Sequence, residues 1–182
     1  MNSEDILIEI KEILSNDSIT KNDLMVILKK YVRIISPYDL MLATARMRED
    51  GKYVQSQYRE KYLEIYIRYF IMRMKEVADN NDNMIDTIDV NRLNDSYPLL
   101  ARTFEEYEVK TENDKFPLIY VITSLYTTFI LEEPIHPVGS EFPGSLKVTK
   151  ENNTYYCPVK DNQNENPNAI CHLCLAEQTP NI

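Results

Sequence analysis

The chain of 182 residues has 43% hydrophobic and 27% charged side chains, enough for one sizeable core and against wholesale disorder. Its formal net charge of −9, from 20 Lys and Arg against 29 Asp and Glu, disfavours non-specific nucleic-acid binding and attraction to an anionic membrane. The start MNSEDILIEI is acidic where a secretory signal begins basic, and the apolar run Phe116 to Leu131 is short for a membrane span and interrupted by Thr, Ser and Tyr, so a cytoplasmic protein is expected.

Residues 1–131 hold only one of the three glycines and three of the nine prolines, a composition that suits helices. Ser3 caps a first expected helix, in which Ile6, Leu7, Ile10, Ile13 and Leu14 share one face. Thr20 caps a second, with Leu24, Ile27, Leu28 and Tyr31 inward. Ser36-Pro37-Tyr38-Asp39 is the clearest start, with an N-cap, a proline at the first helical position and an early acid; Gly51 ends that third helix. The fourth and longest runs from about Val54 to Ala78. It is apolar on most sides, with a Tyr58–Tyr62–Tyr66–Tyr69 stripe, and therefore reads as the central helix. Residues 79–95 form a polar connector. Their Asp79, Asn81 and Asn83 imitate a calcium loop, but Met84 replaces its glycine and Val90 its closing Glu, so that reading fails. A fifth helix is expected from Ser96, with Pro98 near its start, and a sixth over 115–131.

Residues 132–182 are different in kind. They carry all three cysteines and both histidines, within the last 47 positions, together with six prolines and two glycines. Leu146 to Thr149 and Thr154 to Cys157 read as a short β-hairpin, and Ala169 to Glu177 as a short helix. Cys157, Cys171 and Cys174 are spaced C-x13-C-x2-C. Thiolates and imidazoles are the ligands of zinc and iron–sulfur clusters, and an odd cysteine count with a C-x2-C pair points to metal rather than to a disulfide framework. Zinc held by Cys157, Cys171, Cys174 and His136 is the expected site, with His172 the second candidate for the fourth position; an iron–sulfur cluster on three cysteines is the alternative. The expected fold class is all-α. It comprises a bundle of about six helices over 1–131, with a metal-binding hairpin-plus-helix appendage over 132–182 packed on it.

The run HPVGSEFPGSLKV…YYCPVKDNQNENPNAICHLCLAEQ resembles an uncharacterised archaeal family found chiefly in methanogens, domain-of-unknown-function family 2115. The resemblance rests on His136 to Gly139, Phe142 to Gly144, Cys157 to Lys160, and Cys171 with Cys174. The family pattern has a second glycine where this chain has Ser145. Membership implies an archaeal, anaerobic cytoplasm and brings no known activity.

Two functions follow as expectations. One is a zinc-stabilised interaction or accessory factor that binds a protein partner, since no phosphate loop, nucleotide fingerprint or Ser/His/Asp set is present. The other is a metalloenzyme or redox protein, with Glu132, Glu133, His136 and Lys160 as acid–base candidates near the metal.

Overall fold

The computed structural model describes residues 2–108, 114–166 and 169–180. Six α-helices come first: α1 Asp5–Ile13, α2 Lys21–Val32, α3 Pro37–Asp50, α4 Ser56–Asp79, α5 Val90–Glu108 and α6 Phe116–Leu125. Five short strands follow: β1 Glu141–Phe142, β2 Leu146–Lys147, β3 Thr149–Glu151, β4 Thr154–Cys157 and β5 Glu177–Gln178.

Local chemistry sets the starts of α2 and α3, whereas α1 has no side-chain cap and the Ser3 Oγ expected to provide one accepts from Lys115 Nζ at 3.0 Å. Thr20 and Ser36 each accept the backbone N–H three residues on, from Asp23 and Asp39, whose carboxylates reach back to the cap backbone. Ser36→Ala is expected to lower unfolding free energy by about 1 kcal/mol in urea titration; an unchanged midpoint would contradict the cap's role. The fifth helix starts six residues before the sequence suggests. Asp89 Oδ1 accepts the Arg92 N–H at 3.0 Å and opens α5, leaving Pro98 inside the helix. The connector before it is laced to the start of α2: the Lys21 N–H donates to Asp86 O and the Ile88 N–H to Ile19 O.

The central helix is α6 rather than α4. Leu118, Ile119, Val121, Ile122 and Leu125 are fully enclosed, and α6 packs on α2, α3, α4 and α5. Its all-round apolar surface fits such a position. It ends in a π-helical turn, Tyr126–Ile130. On α4, Leu63, Ile67, Phe70 and Met74 enter the core, while the tyrosine edge turns towards the C-terminal segment. Arg73 is 7% exposed; it ion-pairs with Glu76 at 2.7 Å and with Glu133, and its guanidinium lies over the Tyr69 ring.

The all-α expectation needs correction. β1 and β2 pair antiparallel, and β3–β4–β5 form a second sheet in which β5 runs parallel to β4, Cys157 opposite Gln178. Asn152 and Asn153 make the β3–β4 turn, both at positive φ, the geometry that matches the twist of a hairpin. Ser145 lies at φ +61 in the β1–β2 turn, a region glycine enters without a Cβ penalty, which gives a physical reason for the glycine expected there. The helix expected over Ala169 to Glu177 is a single 3-10 turn, Ile170–His172, followed by β5. The Pro167-Asn168 start expected for it lies outside the described residues. The description of 132–182 as a metal-binding appendage is also overturned, because among the described residues no group of three or more His, Cys, Asp or Glu is arranged to hold a metal ion. What fills the space is a small apolar core of Val148, Cys157, Cys174 and Ala176, with Ile135, Phe142, Tyr155 and Val159 against it.

Candidate functional site

The cysteines and His136 enter different environments. Cys157 ends β4, and its sulfur accepts the backbone N–H groups of Val159 and Lys160. Cys174 Sγ accepts the Ile135 N–H at 3.3 Å. Cys171 is half-buried on the 3-10 turn. Burial pushes the Cys157 thiol up, and it drives Cys171 up to about 11, with the fields of Cys174 and Cys157 adding to the shift. Cys171 and Cys157 therefore rest as thiols at neutral pH, the opposite of an activated thiolate.

His136 sits among aromatic rings. Its centroid is 5.9 Å from Tyr62, 5.4 Å from Tyr66 and 5.5 Å from Phe142, and Nε2 lies 3.2 Å from the Tyr62 hydroxyl. The residue as a whole is part-exposed, but desolvation holds its pKa down at about 4, so the imidazole is neutral at pH 7. His172 is exposed and donates from Nε2 to Asn166 O at 2.8 Å.

The Cys171–Cys174 turn is held by two cations. Lys160 Nζ donates to the carbonyls of Cys171 and, at 2.9 Å, Cys174. Arg92 Nη2, from α5, donates to the carbonyls of Leu173 (3.1 Å) and Cys174 (3.0 Å). Lys160 follows the Cys157-Pro158 corner, where a fourth cysteine would stand in a zinc knuckle. Here its ammonium ties the turn to the hairpin by backbone oxygens instead. The remaining acid–base candidates are also engaged and do not converge. Glu132 pairs with Lys21 at 2.8 Å, and Glu133 with Arg73.

Two features escaped sequence reasoning. The first is a cleft of about 410 Å³ between the start of α5, the π-helical turn and the β3–β4–β5 sheet. Arg92, Thr128, Phe129, Glu132, Tyr155 and Glu177 are among its lining residues. Thr128 is 2% exposed, and its Oγ1 has no hydrogen-bond partner among the described residues. Glu132, on the rim, adopts φ +54, a left-handed conformation that costs a non-glycine residue about 1 kcal/mol. The sequence signal was Thr127-Thr128 near the end of a largely apolar helix. A second cavity beside Arg73, lined by Tyr66, Tyr69, Tyr120 and Thr123, measures about 20 Å³, room for one water.

The other feature is the outer face of α3. Tyr38, Met41 and Leu42 are 62%, 57% and 43% exposed, and Ala45 is exposed as well, whereas Ala43 and Met47 carry the inner face. The helix is thus apolar on both sides, one of them facing solvent.

Among the described residues no helix is long and apolar enough to cross a membrane. Residues 20–179 match the family model described as "Uncharacterized protein conserved in archaea (DUF2115)". A UPF0305 protein of Methanothermobacter thermautotrophicus is 33% identical over 90% of this chain and 99% of its own length. One of Methanocaldococcus jannaschii is 33% identical over 82% of this chain and 91% of its own length, and one of Methanococcus maripaludis 26% identical over 79% and 87%. No solved structure matches the chain. Its helices, its turns and its cysteine segment therefore come together in one assignment: the chain belongs to the DUF2115 family of uncharacterized proteins conserved in archaea.

Proposed function

We propose that this protein is an interaction or accessory factor that docks a partner protein on the outer face of α3. The observation that carries the reading is the exposed stripe Tyr38, Met41, Leu42 and Ala45, at helical spacing i, i+3, i+4 and i+7. That spacing presents one continuous apolar ridge, the pattern by which one helix seats against another. Large exposed apolar side chains grouped on one face, rather than scattered singly, mark interaction surfaces. The chain carries a net charge of −9, and exposed Glu49 and Asp50 flank the end of the stripe beside exposed Arg48, with Glu49 paired to Lys52 at 3.6 Å. The fitting occupant is an apolar helix edged by Lys or Arg.

Zinc has no part in this reading, since among the described residues no group of three or more His, Cys, Asp or Glu is arranged to hold a metal ion. The metalloenzyme alternative loses support because Glu132, Glu133 and Lys160 are each committed to a structural partner.

A photo-reactive residue at Met41, in the full chain expressed in a methanogen, is expected to crosslink one protein through an apolar, basic-edged helix. Leu42→Asp is expected to reduce that crosslink at least about tenfold, as loss of a central apolar contact does. A crosslink to a second copy of the chain, no crosslink at all, or a yield indifferent to Leu42→Asp overturns the reading.

A further inference from the structure

We propose that Cys171 and Cys174 form a reversible dithiol–disulfide switch that couples the surrounding thiol–disulfide pool to the segment carrying His136. The switch is independent of the α3 docking face. Both thiols are free and lie one turn apart. The Cys174 N–H donates to Cys171 O at 3.2 Å, which closes an i to i+3 turn. In 3-10 geometry side chains three residues apart eclipse one another, and the three steps of rise separate their Cα atoms by about 6 Å. That lies inside the span of roughly 4.4–6.8 Å that a disulfide bridges. Lys160 and Arg92 hold the turn by its carbonyls, so closing the ring costs little further chain entropy. Cys157 comes from β4, and its sulfur is occupied by the Val159 and Lys160 N–H groups, which leaves it outside the pair.

Exposure divides the roles. Cys171 is half-buried and meets a small disulfide first, whereas Cys174 is 8% exposed. The Cys171 thiolate attacks one sulfur of a low-molecular-weight disulfide. The S–S bond of that disulfide breaks, and the departing thiolate takes up the proton that Cys171 gave. The Cys174 thiolate then attacks Cys171 Sγ and expels the second small thiol, which takes the Cys174 proton. Two protein thiols lose two electrons, and one small disulfide becomes two small thiols. Burial keeps the thiolate at Cys171 scarce and the field of the Lys160 ammonium works the other way, so exchange is slow. A disulfide is strongly oxidising when its reduced form is stabilised; here burial outweighs that stabilisation, and the bond once formed is durable.

The output is Ile135. Its N–H donates to Cys174 Sγ at 3.3 Å, and its side chain packs against both the helical core and the small core that holds Cys174. In the disulfide Cys174 Sγ stands about 2.05 Å from its partner sulfur and withdraws from that N–H. Ile135 is the neighbour of His136, so the redox state of the turn reaches the place where the C-terminal segment meets the α4 tyrosines.

The test exposes the folded full chain to oxidised and reduced glutathione at fixed ratios, then alkylates free thiols under acid denaturation and maps them by peptide mass spectrometry. One two-electron transition is expected, reversed by dithiothreitol. The peptide carrying Cys171 and Cys174 loses two alkyl groups, and Cys157 stays alkylated throughout. The amide shifts of Ile135 and His136 move with the transition and return on reduction. Cys174→Ser is expected to stop at a glutathione adduct on Cys171, and Cys171→Ser to take up glutathione at least about tenfold more slowly, its remaining pair being buried. If either serine variant fails to fold, the map and the shifts of the unaltered chain decide alone. A bridge to Cys157, no oxidation of the folded chain at any ratio, or Ile135 and His136 shifts that stay fixed across the transition overturns the proposal.

Discussion

Lys160→Met is expected to open the C-terminal turn, with a loss of about 3 kcal/mol of unfolding free energy and strongly raised amide exchange over residues 170–178. The ammonium makes two bonds, to the carbonyls of Cys171 and Cys174, and hydrogen bonds to a charged group are worth about 1.5–3 kcal/mol each. Methionine keeps the length and apolar stem of lysine, so the effect reports the charge and its donors. Cys174 O retains Arg92, whereas the Cys171 carbonyl loses the lysine bond at a half-buried position. Chelation is the companion measurement. A turn held by an ammonium keeps its exchange protection in ethylenediaminetetraacetate; a turn held by a metal loses it. Protection unaffected by Lys160→Met but abolished by the chelator would refute the clamp and restore the metal.

A second large effect is acid sensitivity centred on His136. Its pKa is near 4 in the folded protein, from burial, against about 6.5 for an unperturbed imidazole. Between those values the unfolded chain binds a proton that the folded chain refuses. Stability therefore falls as pH drops from about 6.5 towards 4, and it is insensitive to this group above 7. From pH 7 to pH 5 the loss is expected to be about 2 kcal/mol. The carboxylates of Glu9, Asp23 and Glu141 are held below their ordinary values by hydrogen bonds and by Lys30, Thr20, Lys61 and Lys147, so their contributions are lost only at lower pH. His136→Phe, placed among Tyr62, Tyr66 and Phe142, is expected to flatten the pH 7 to 5 slope. It should do so at a baseline lower by about 1 kcal/mol, the worth of the Tyr62 hydroxyl's bond to the ring. Urea titrations of both proteins at pH 7, 6 and 5 measure this, and parallel slopes would show that another group controls the acid response.

The outcomes divide by the range of the interaction concerned. Helix starts at Thr20 and Ser36 were legible because a cap and its reciprocal carboxylate lie three residues apart. The start of α5 was obscured by its setting: Asp89 looked like one more residue of a polar connector, and Pro98 imitated a first-turn proline. The aromatic face of α4 suggested a central helix, yet it turns its tyrosines to His136 and Phe142 and cedes the centre to α6. The sixth helix fills that place, because its Leu118, Ile119, Val121, Ile122 and Leu125 are fully buried against its neighbours.

The cysteine segment separates what spacing implies from what packing decides. The sequence by itself determined that 132–182 differs in kind from the helical region, that a hairpin ends at Cys157, though its first strand is Thr149–Glu151 and the expected Leu146–Lys147 pairs with β1 instead, and that the turns resemble those of an archaeal family. Backbone propensity and short-range spacing fix such features. Only the tertiary structure decided that the Cys171–Cys174 carbonyls are bound by Lys160 and by Arg92, the latter 81 positions from Leu173 in the chain. It likewise decided that the segment after Cys174 pairs with β4 as a strand and that His136 is enclosed by α4 tyrosines. A spacing of C-x2-C states which side chains are neighbours along the backbone. Where their sulfurs point, and which distant cation meets their carbonyls, depends on how α4, α5 and the sheet pack, and pairings across tens of residues leave no local trace in the sequence.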